Sequence, residues 1–252
     1  MSVGALNSAL SGLKVAQQAI DVVSKNVSNV STPGYNKKIH TQSTQIVGGE
    51  GIGVRADGVI RNVDEVLSRN HIEQLSVVQE LDAKARFLQQ IQDFHGPPDA
   101  EIAISNEVSG LYKAFIELTN EPENPFSLDV VYAQATELAR KYNDFSNYIQ
   151  QVRNDVQDEM QFLIADLNSY LEQMATLNEL VKTEFNLGRS TAELEDQRDQ
   201  VLREISKIVA VDYYETEGKE MIVQTVRGSL LVDSTPNTVY FDPSTVGVGS
   251  FY

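Results

Sequence analysis

The densest group of side chains able to do chemistry is Glu193, Glu195, Asp196, Arg198 and Asp199, a spacing that offers paired carboxylates for glycosidic acid-base work. The same residues open a helical pattern, where acids favour the positive end of the dipole and Arg198 can pair with them. No neighbouring motif indicates a cleft, so Asp196, Gln197, Arg198 and Asp199 read first as a structural helix-start cluster. His40, His71 and His95 belong to no HExxH or HxH spacing, and the absence of cysteine removes thiolate zinc sites, disulfides and a Cys nucleophile together. Gly48, Gly49, Gly51 and Gly53 resemble a nucleotide loop only superficially, because no helix follows at once and no Gly-Lys-Ser or Gly-Lys-Thr is present. The sequons at Asn26 and Asn29 lie inside a helical pattern, where glycosylation would oppose packing. No catalytic, cofactor-binding or metal-ligating residue is expected.

The elements that must position these groups are mostly helical. Leu6, Ala9, Leu13, Ala16, Ile20, Val23, Val27 and Val30 step by alternating threes and fours, which is the heptad period. The opposite face carries Ser, Asn and Gln in place of charge. Two readings follow: a coiled-coil seam that needs a partner helix, or an amphipathic helix docked on its own domain. Thr32-Pro33-Gly34-Tyr35 stops the pattern, because Pro33 disfavours a helical Thr32 and Pro-Gly suits a type II turn. The stretch GIGVRADGVIR, residues 51 to 61, reads as a small hairpin.

Helical spacing returns over 62 to 95 at Leu67, Leu75, Val78, Leu81, Ala85, Leu88 and Ile91, with His71 packed on the same stripe and Gly96-Pro97-Pro98 as the stop. A third helix is predicted over 100 to 120, with Ile104, Val108, Leu111, Phe115 and Leu118 on one face. The longest runs from an N-cap at Ser127 to about residue 182, or about 80 Å. After Asn186-Leu187-Gly188 a shorter antiparallel helix begins, with Ser190 and Glu193 at capping-box spacing. Beyond Ile208 the period shortens to strands at 209 to 214, 221 to 226, 230 to 232 and 239 to 241. The meander stops at Phe251-Tyr252 as if cut within a domain.

The expected fold is thus mainly α with a small β part (α+β). It comprises an elongated antiparallel helical, coiled-coil bundle, an N-terminal helix and a truncated C-terminal β-meander. Its divisions are residues 1 to 61 (N-terminal helix, turn and hairpin), 62 to 208 (long-helix bundle) and 209 to 252 (an incomplete β-rich part).

Composition narrows the function. The 252 residues hold 36 acidic and 20 basic side chains, net charge -16, which opposes binding to nucleic-acid phosphates. Residues 1 to 61 carry +3, so the remainder carries -19. A weakly charged end can pack among other chains, whereas the acidic body stays solvated. No run of about 18 apolar residues indicates a membrane span. The first charged residue is Lys14 and polar residues interrupt the opening segment, so a cleaved signal peptide is not expected.

Asn26-Val-Ser-Asn-Val-Ser-Thr-Pro-Gly-Tyr35 resembles the NxxNxxTPGY signature of flagellar axial proteins, with Asn26, Asn29, Thr32, Pro33, Gly34 and Tyr35 as its matching residues. Residues 48 to 67 and the stretch LEDQRDQVL, 194 to 202, are similar to segments of the FlgK family of hook-associated proteins, amino-terminal portion. That resemblance implies a non-enzymatic subunit at the hook-filament junction of the bacterial flagellum, outside the cell, exported through the type III apparatus without a cleaved signal. It implies a ring of copies, with hook protein, a second junction protein and an export chaperone as partners. It also implies that the N-terminal helix is axial, in the core of the tube, and the seam residues from Leu6 to Val30 would then form the assembly interface. A hook or rod protein is the alternative within that class. A flagellum-associated cell-wall glycosidase and an unrelated coiled-coil adaptor are the alternatives outside it.

Overall fold

The computed structural model describes residues 3–47, 49–97 and 103–243. Expectations that touch Gly48, Pro98, Ala100, Phe251 and Tyr252 lie outside the described residues. The chain is mainly α with small antiparallel sheets. Its elements are α1 (Val3–Ser28), β1 (Lys38–Val47), β2 (Glu50–Arg61), α2 (Glu65–His95), α3 (Ile104–Asn120), α4 (Pro125–Asn186), α5 (Ala192–Ile208), β3 (Val211–Glu215), β4 (Met221–Thr225) and β5 (Leu230–Val232). Among the described residues no helix is long and apolar enough to cross a membrane. Two compact units are present, Met1–Gln79 with Ala165–Tyr240, and Glu80–Ile164 with Phe241–Tyr252.

In the second unit, Phe94 of α2 stacks on Tyr148 of α4 at 4.2 Å between ring centroids, and His95 meets Phe145 edge-on at 5.2 Å. Tyr148 completes the contact by donating its hydroxyl hydrogen to the Gln90 carbonyl at 3.1 Å. Burying a ring beside a satisfied hydroxyl is the favourable arrangement for Tyr. Helix α3 covers Ile104, Leu111 and Leu118 of the expected face and buries Ala114 beside them, while Val108 and Phe115 are exposed. Helix α4 starts two residues before Ser127. Asn124 is its cap, accepting the Phe126 N–H at 3.0 Å, and Ser127 is buried inside the helix.

In the first unit, α4 contributes Leu171, Met174 and Val181, α5 contributes Leu202 and Ile205, and the sheet contributes Val223 and Val232 to one buried set. Helix α4 ends in a Schellman motif. Gly188, at φ +67°, donates to the Phe185 carbonyl and Arg189 to that of Glu184, both at 2.9 Å. The three strands follow in the order β3-β4-β5. The buried amide of Asn178 stitches them to α4: its Nδ2 donates to the carbonyls of Met221 and Asp233 at 2.8 Å, and its Oδ1 accepts the Met221 N–H at 3.0 Å.

Several expectations are corrected. Residues 51 to 61 are a single strand, not a hairpin, and their partner is β1, with Lys38 opposite Arg61 and Val47 opposite Glu50. No strand forms at 239 to 241, because the Asn168 amide takes both hydrogen-bonding groups of Val239, at 2.8 and 2.9 Å. The Ser190–Glu193 capping box is absent: Ser190 donates to the Val59 carbonyl, Thr191 is the N-cap residue, and Glu193 pairs elsewhere. On α2 the expected stripe faces outward at Leu67, Val78, Leu81 and Leu88, while Ile72 is buried and His71 is exposed.

Candidate functional site

Helix α1 has two faces with different fates. Val15 and Val22 are buried, and α1 packs against β2 and β1. The heptad stripe lies elsewhere on the wheel: Leu6 is 66% exposed, Leu13 67%, Ile20 68%, and Val23, Val27 and Val30 are open too. Ala9 and Ala16 lie exposed on the same stripe. Docking on the chain's own hairpin therefore uses a face other than the seam. The helix ends at Ser28, two residues before the expected last position, and Val30 sits in the following turn.

The residues after that helix explain the spacing of the signature. Asn26 acts as a surrogate strand: its Nδ2 donates to the Lys38 carbonyl at 2.8 Å and its Oδ1 accepts the Lys38 N–H at 2.9 Å. The same Oδ1 accepts the Tyr35 hydroxyl at 2.9 Å. Asn29 Nδ2 donates to the Lys25 carbonyl, and Asn29 Oδ1 accepts the Thr32 hydroxyl, which closes the helix end. The Tyr35 N–H donates to the Thr32 carbonyl at 3.2 Å across Pro33 and Gly34, and Gly34 takes φ +80°, as a type II turn requires. A Cβ on Gly34 would also collide with Arg203 Nη2 and lie 2.9 Å from Gln200 Cγ.

That turn is seated on α5. Gln200 Nε2 donates to the Pro33 carbonyl at 3.0 Å, and Asn36 Nδ2 to Asp196 Oδ1 at 2.8 Å. Buried Lys38 pairs with Glu193 at 2.5 Å and Asp196 at 3.1 Å, with its ammonium 4.4 Å from the centre of the Tyr35 ring. Arg61, at the far end of the hairpin ladder, reaches Glu195 at 2.8 Å, Asp196 at 3.2 Å and Asp199 at 2.5 Å. The acidic start of α5 thus receives the two cations that β1 and β2 bring side by side.

Arg198 does not join its helix neighbours, contrary to expectation. It is fully buried and points to the other side of α5, donating to the Lys219 carbonyl and to Glu215, each at 2.6 Å. Lys219 holds a left-handed φ of +67°, which Arg198 helps to fix by gripping its carbonyl. Gln197 borders a groove of about 970 Å³ with Pro33, Leu75, Tyr170 and Arg203.

Burial and pairing compete in this cluster. Burial pushes the Asp199 carboxyl above its ordinary range, and the nearby Arg61, Arg198 and Arg203 do not fully offset it. Burial alone would lower the Arg61 and Lys38 values, but their carboxylate partners raise both. Burial would raise Glu215, yet hydrogen bonds from Lys219 and Arg198 hold it below the usual carboxylate value. A cavity of about 430 Å³ does border Glu195 and Asp199, a cleft not expected from sequence, but both carboxylates there are engaged by Arg61. Among the described residues no cluster of His, Cys, Asp or Glu is arranged to hold a metal ion.

Lys38, Arg61, Asn36 and Gln200 were not identified as site residues by sequence reasoning. Their one signal was an excess of acids at the start of α5 that a single Arg could not balance.

Residues 88–246 match the model for the flagellar hook-associated protein FlgK helical domain, and residues 6–36 that for flagella basal body rod proteins. Flagellar hook-associated protein 1 of Salmonella typhimurium is 25% identical over 91% of this chain and 42% of its own length. Its counterpart in Escherichia coli K12 is 24% identical over 95% and 45%, and that in Bacillus subtilis 24% over 82% and 43%. The chain therefore spans less than half the length of these curated relatives. The solved structure of the flagellar hook junction protein FlgK from Burkholderia pseudomallei shares the fold, with TM-score 0.55 and 23% identity over 64% of this chain and 28% of that one. With the helical-domain match covering more than half of its residues, the chain belongs to the flagellar hook-associated protein FlgK family.

Proposed function

We propose that this chain belongs to a structural subunit that joins hook to filament in the bacterial flagellum and performs no reaction. The observation that carries the reading is the open apolar stripe of α1, from Leu6 to Val27 and continued by Val30 in the following turn, on a helix whose other face is fixed by the hairpin and, through it, by α5. An apolar seam on a polar, nearly uncharged helix gains most free energy when other helices cover it. Residues 1 to 61 act in this reading as the axial module, 62 to 208 as the helical body and 209 to 252 as the start of a β-rich part. The signature residues Asn26, Asn29, Thr32, Pro33, Gly34 and Tyr35 set the angle at which α1 leaves the body, and Asp196, Asp199 and Gln200 form its seat, while Arg198 on the other side of α5 holds Lys219 and Glu215. Copies of the subunit in a ring, hook protein and a second junction protein are the expected neighbours, with an export chaperone before assembly. The protein acts outside the cell and is exported without a cleaved signal.

The test places Leu13→Asp with Ile20→Asp in the full-length protein and complements a deletion strain. Secreted but unassembled subunit, with filaments lost from the cells, is expected. Normal motility and attached filaments would refute the stripe as an assembly interface. An unaffected deletion strain would refute the junction role and return the reading to an adaptor. Lost cell-wall cleavage in a Glu195→Gln, Asp196→Asn and Asp199→Asn variant that still assembles would favour the glycosidase.

A further inference from the structure

The contact between the α1–hairpin segment and α5 differs in kind from the packing on either side of it. Within the segment, Val15 and Val22 are buried and Asn26 binds Lys38 through both of its backbone groups. Beyond the contact, α4, α5 and the sheet share an apolar core that includes Leu171, Met174, Ile205 and Val223. Between the two lie ion pairs of Lys38 and Arg61 and the hydrogen bonds of Asn36 and Gln200. Where an apolar seal would sit there is a cavity of about 260 Å³, bounded by Val22, Lys25, Lys38, Val59, Ser190, Ala192 and Glu193.

Such a contact is directional but weakly adhesive. Desolvation offsets much of the attraction in buried ion pairs, and polar contacts between compact bodies permit relative motion. The charge is also uneven, because among the described residues the ion pairs of Glu193, Glu195, Asp196 and Asp199 go to two cations, Lys38 and Arg61, while Arg198 is held by Glu215, and Arg198 and Arg203 act on Asp199 without an ion pair. Residues 62–64 connect the hairpin to α2, and Asp64 caps that helix by accepting the Leu67 N–H at 3.0 Å, which leaves a short pivot.

We propose that residues 3 to 61 form a hinged module that undocks from α5 as a folded body, with the Lys38–Arg61–acid cluster as its catch. Undocking lets the open stripe of α1 meet its partners at more than one angle. This goes beyond the junction reading and does not depend on it.

The cysteine-free chain allows clean spin labelling. One pair, Thr44→Cys with Lys207→Cys, reports the distance from hairpin to α5. A second, Ser24→Cys with Thr44→Cys, reports the interior of the module. Arg61→Gln removes three ion pairs and should raise the undocked fraction on the order of 100-fold. The first pair is then expected to show an added, longer distance while the second stays unchanged. Lys38→Met with Arg61→Met, which keeps side-chain bulk and removes both cations, should do the same. A single unchanged distance for the first pair in both variants would overturn the hinge. Broadening of both pairs together would also overturn it, since the segment would then be unfolding and not undocking.

Discussion

Replacing Asn26 with Ala removes three hydrogen bonds at one stroke: two to the backbone of Lys38 and one from the Tyr35 hydroxyl. Each hydrogen bond contributes about 0.5–1.5 kcal/mol net, so the variant should lose about 2–4 kcal/mol of local stability. The loss falls on the α1–β1 junction, because no other side-chain bond to the Lys38 peptide is seen among the described residues. Tyr35→Phe removes only one of the three and should cost about 1 kcal/mol. In the Asn26→Ala background, Tyr35→Phe should cost almost nothing, since its acceptor has gone, and the cycle isolates the shared bond. Native-state hydrogen exchange at the Lys38 amide measures this directly, because that N–H points at Asn26 Oδ1. Protection of Lys38 unchanged by Asn26→Ala, or additive effects in the double variant, would refute the surrogate-strand role of Asn26.

Gly34→Ala should destabilise the turn by about 1–3 kcal/mol, since φ is +80° and the new Cβ meets Gln200 and Arg203; faster exchange at the Tyr35 amide is the readout. Arg198→Met leaves the Lys219 carbonyl without its donor and should cost about 3 kcal/mol, seen as earlier thermal unfolding of the β3-β4-β5 unit. Asp199 has its folded value raised by burial, so its contribution is present at low pH and lost as pH rises through that value. Asp199→Asn should therefore gain stability relative to the parent as pH rises from acid to neutral, as urea titrations at several pH values will show. Glu215 has its value lowered, so its contribution is present above the ordinary Glu range and lost as pH falls through the lowered value; Glu215→Gln should flatten that acid limb.

Much of the helical plan was legible from spacing. The alternating threes and fours of α1, the Pro33-Gly34 stop and the Gly188 break are local signals, and each acts through backbone geometry within a few residues. The first strand, KIHTQSTQIV, was invisible because its polar, mixed pattern becomes a strand only when β2 lies beside it. Face assignment on α2 failed for a related reason. That helix carries more apolar positions than one stripe can hold, so the neighbour that covers Ile72 decides which are inside.

By itself the sequence determined where helices start to repeat and stop, that no thiol chemistry exists, and that α1 carries a heptad-spaced apolar stripe. Only the tertiary structure decided which face of α1 the hairpin takes, and that Lys38 and Arg61 neutralise acids far away in the sequence, at the start of α5. Periodicity and turn chemistry act over one or two turns of backbone and leave a trace in composition and spacing. Charge pairing across such separations depends on how the chain is folded back, and many pairings would satisfy the same counts of Lys, Arg, Asp and Glu.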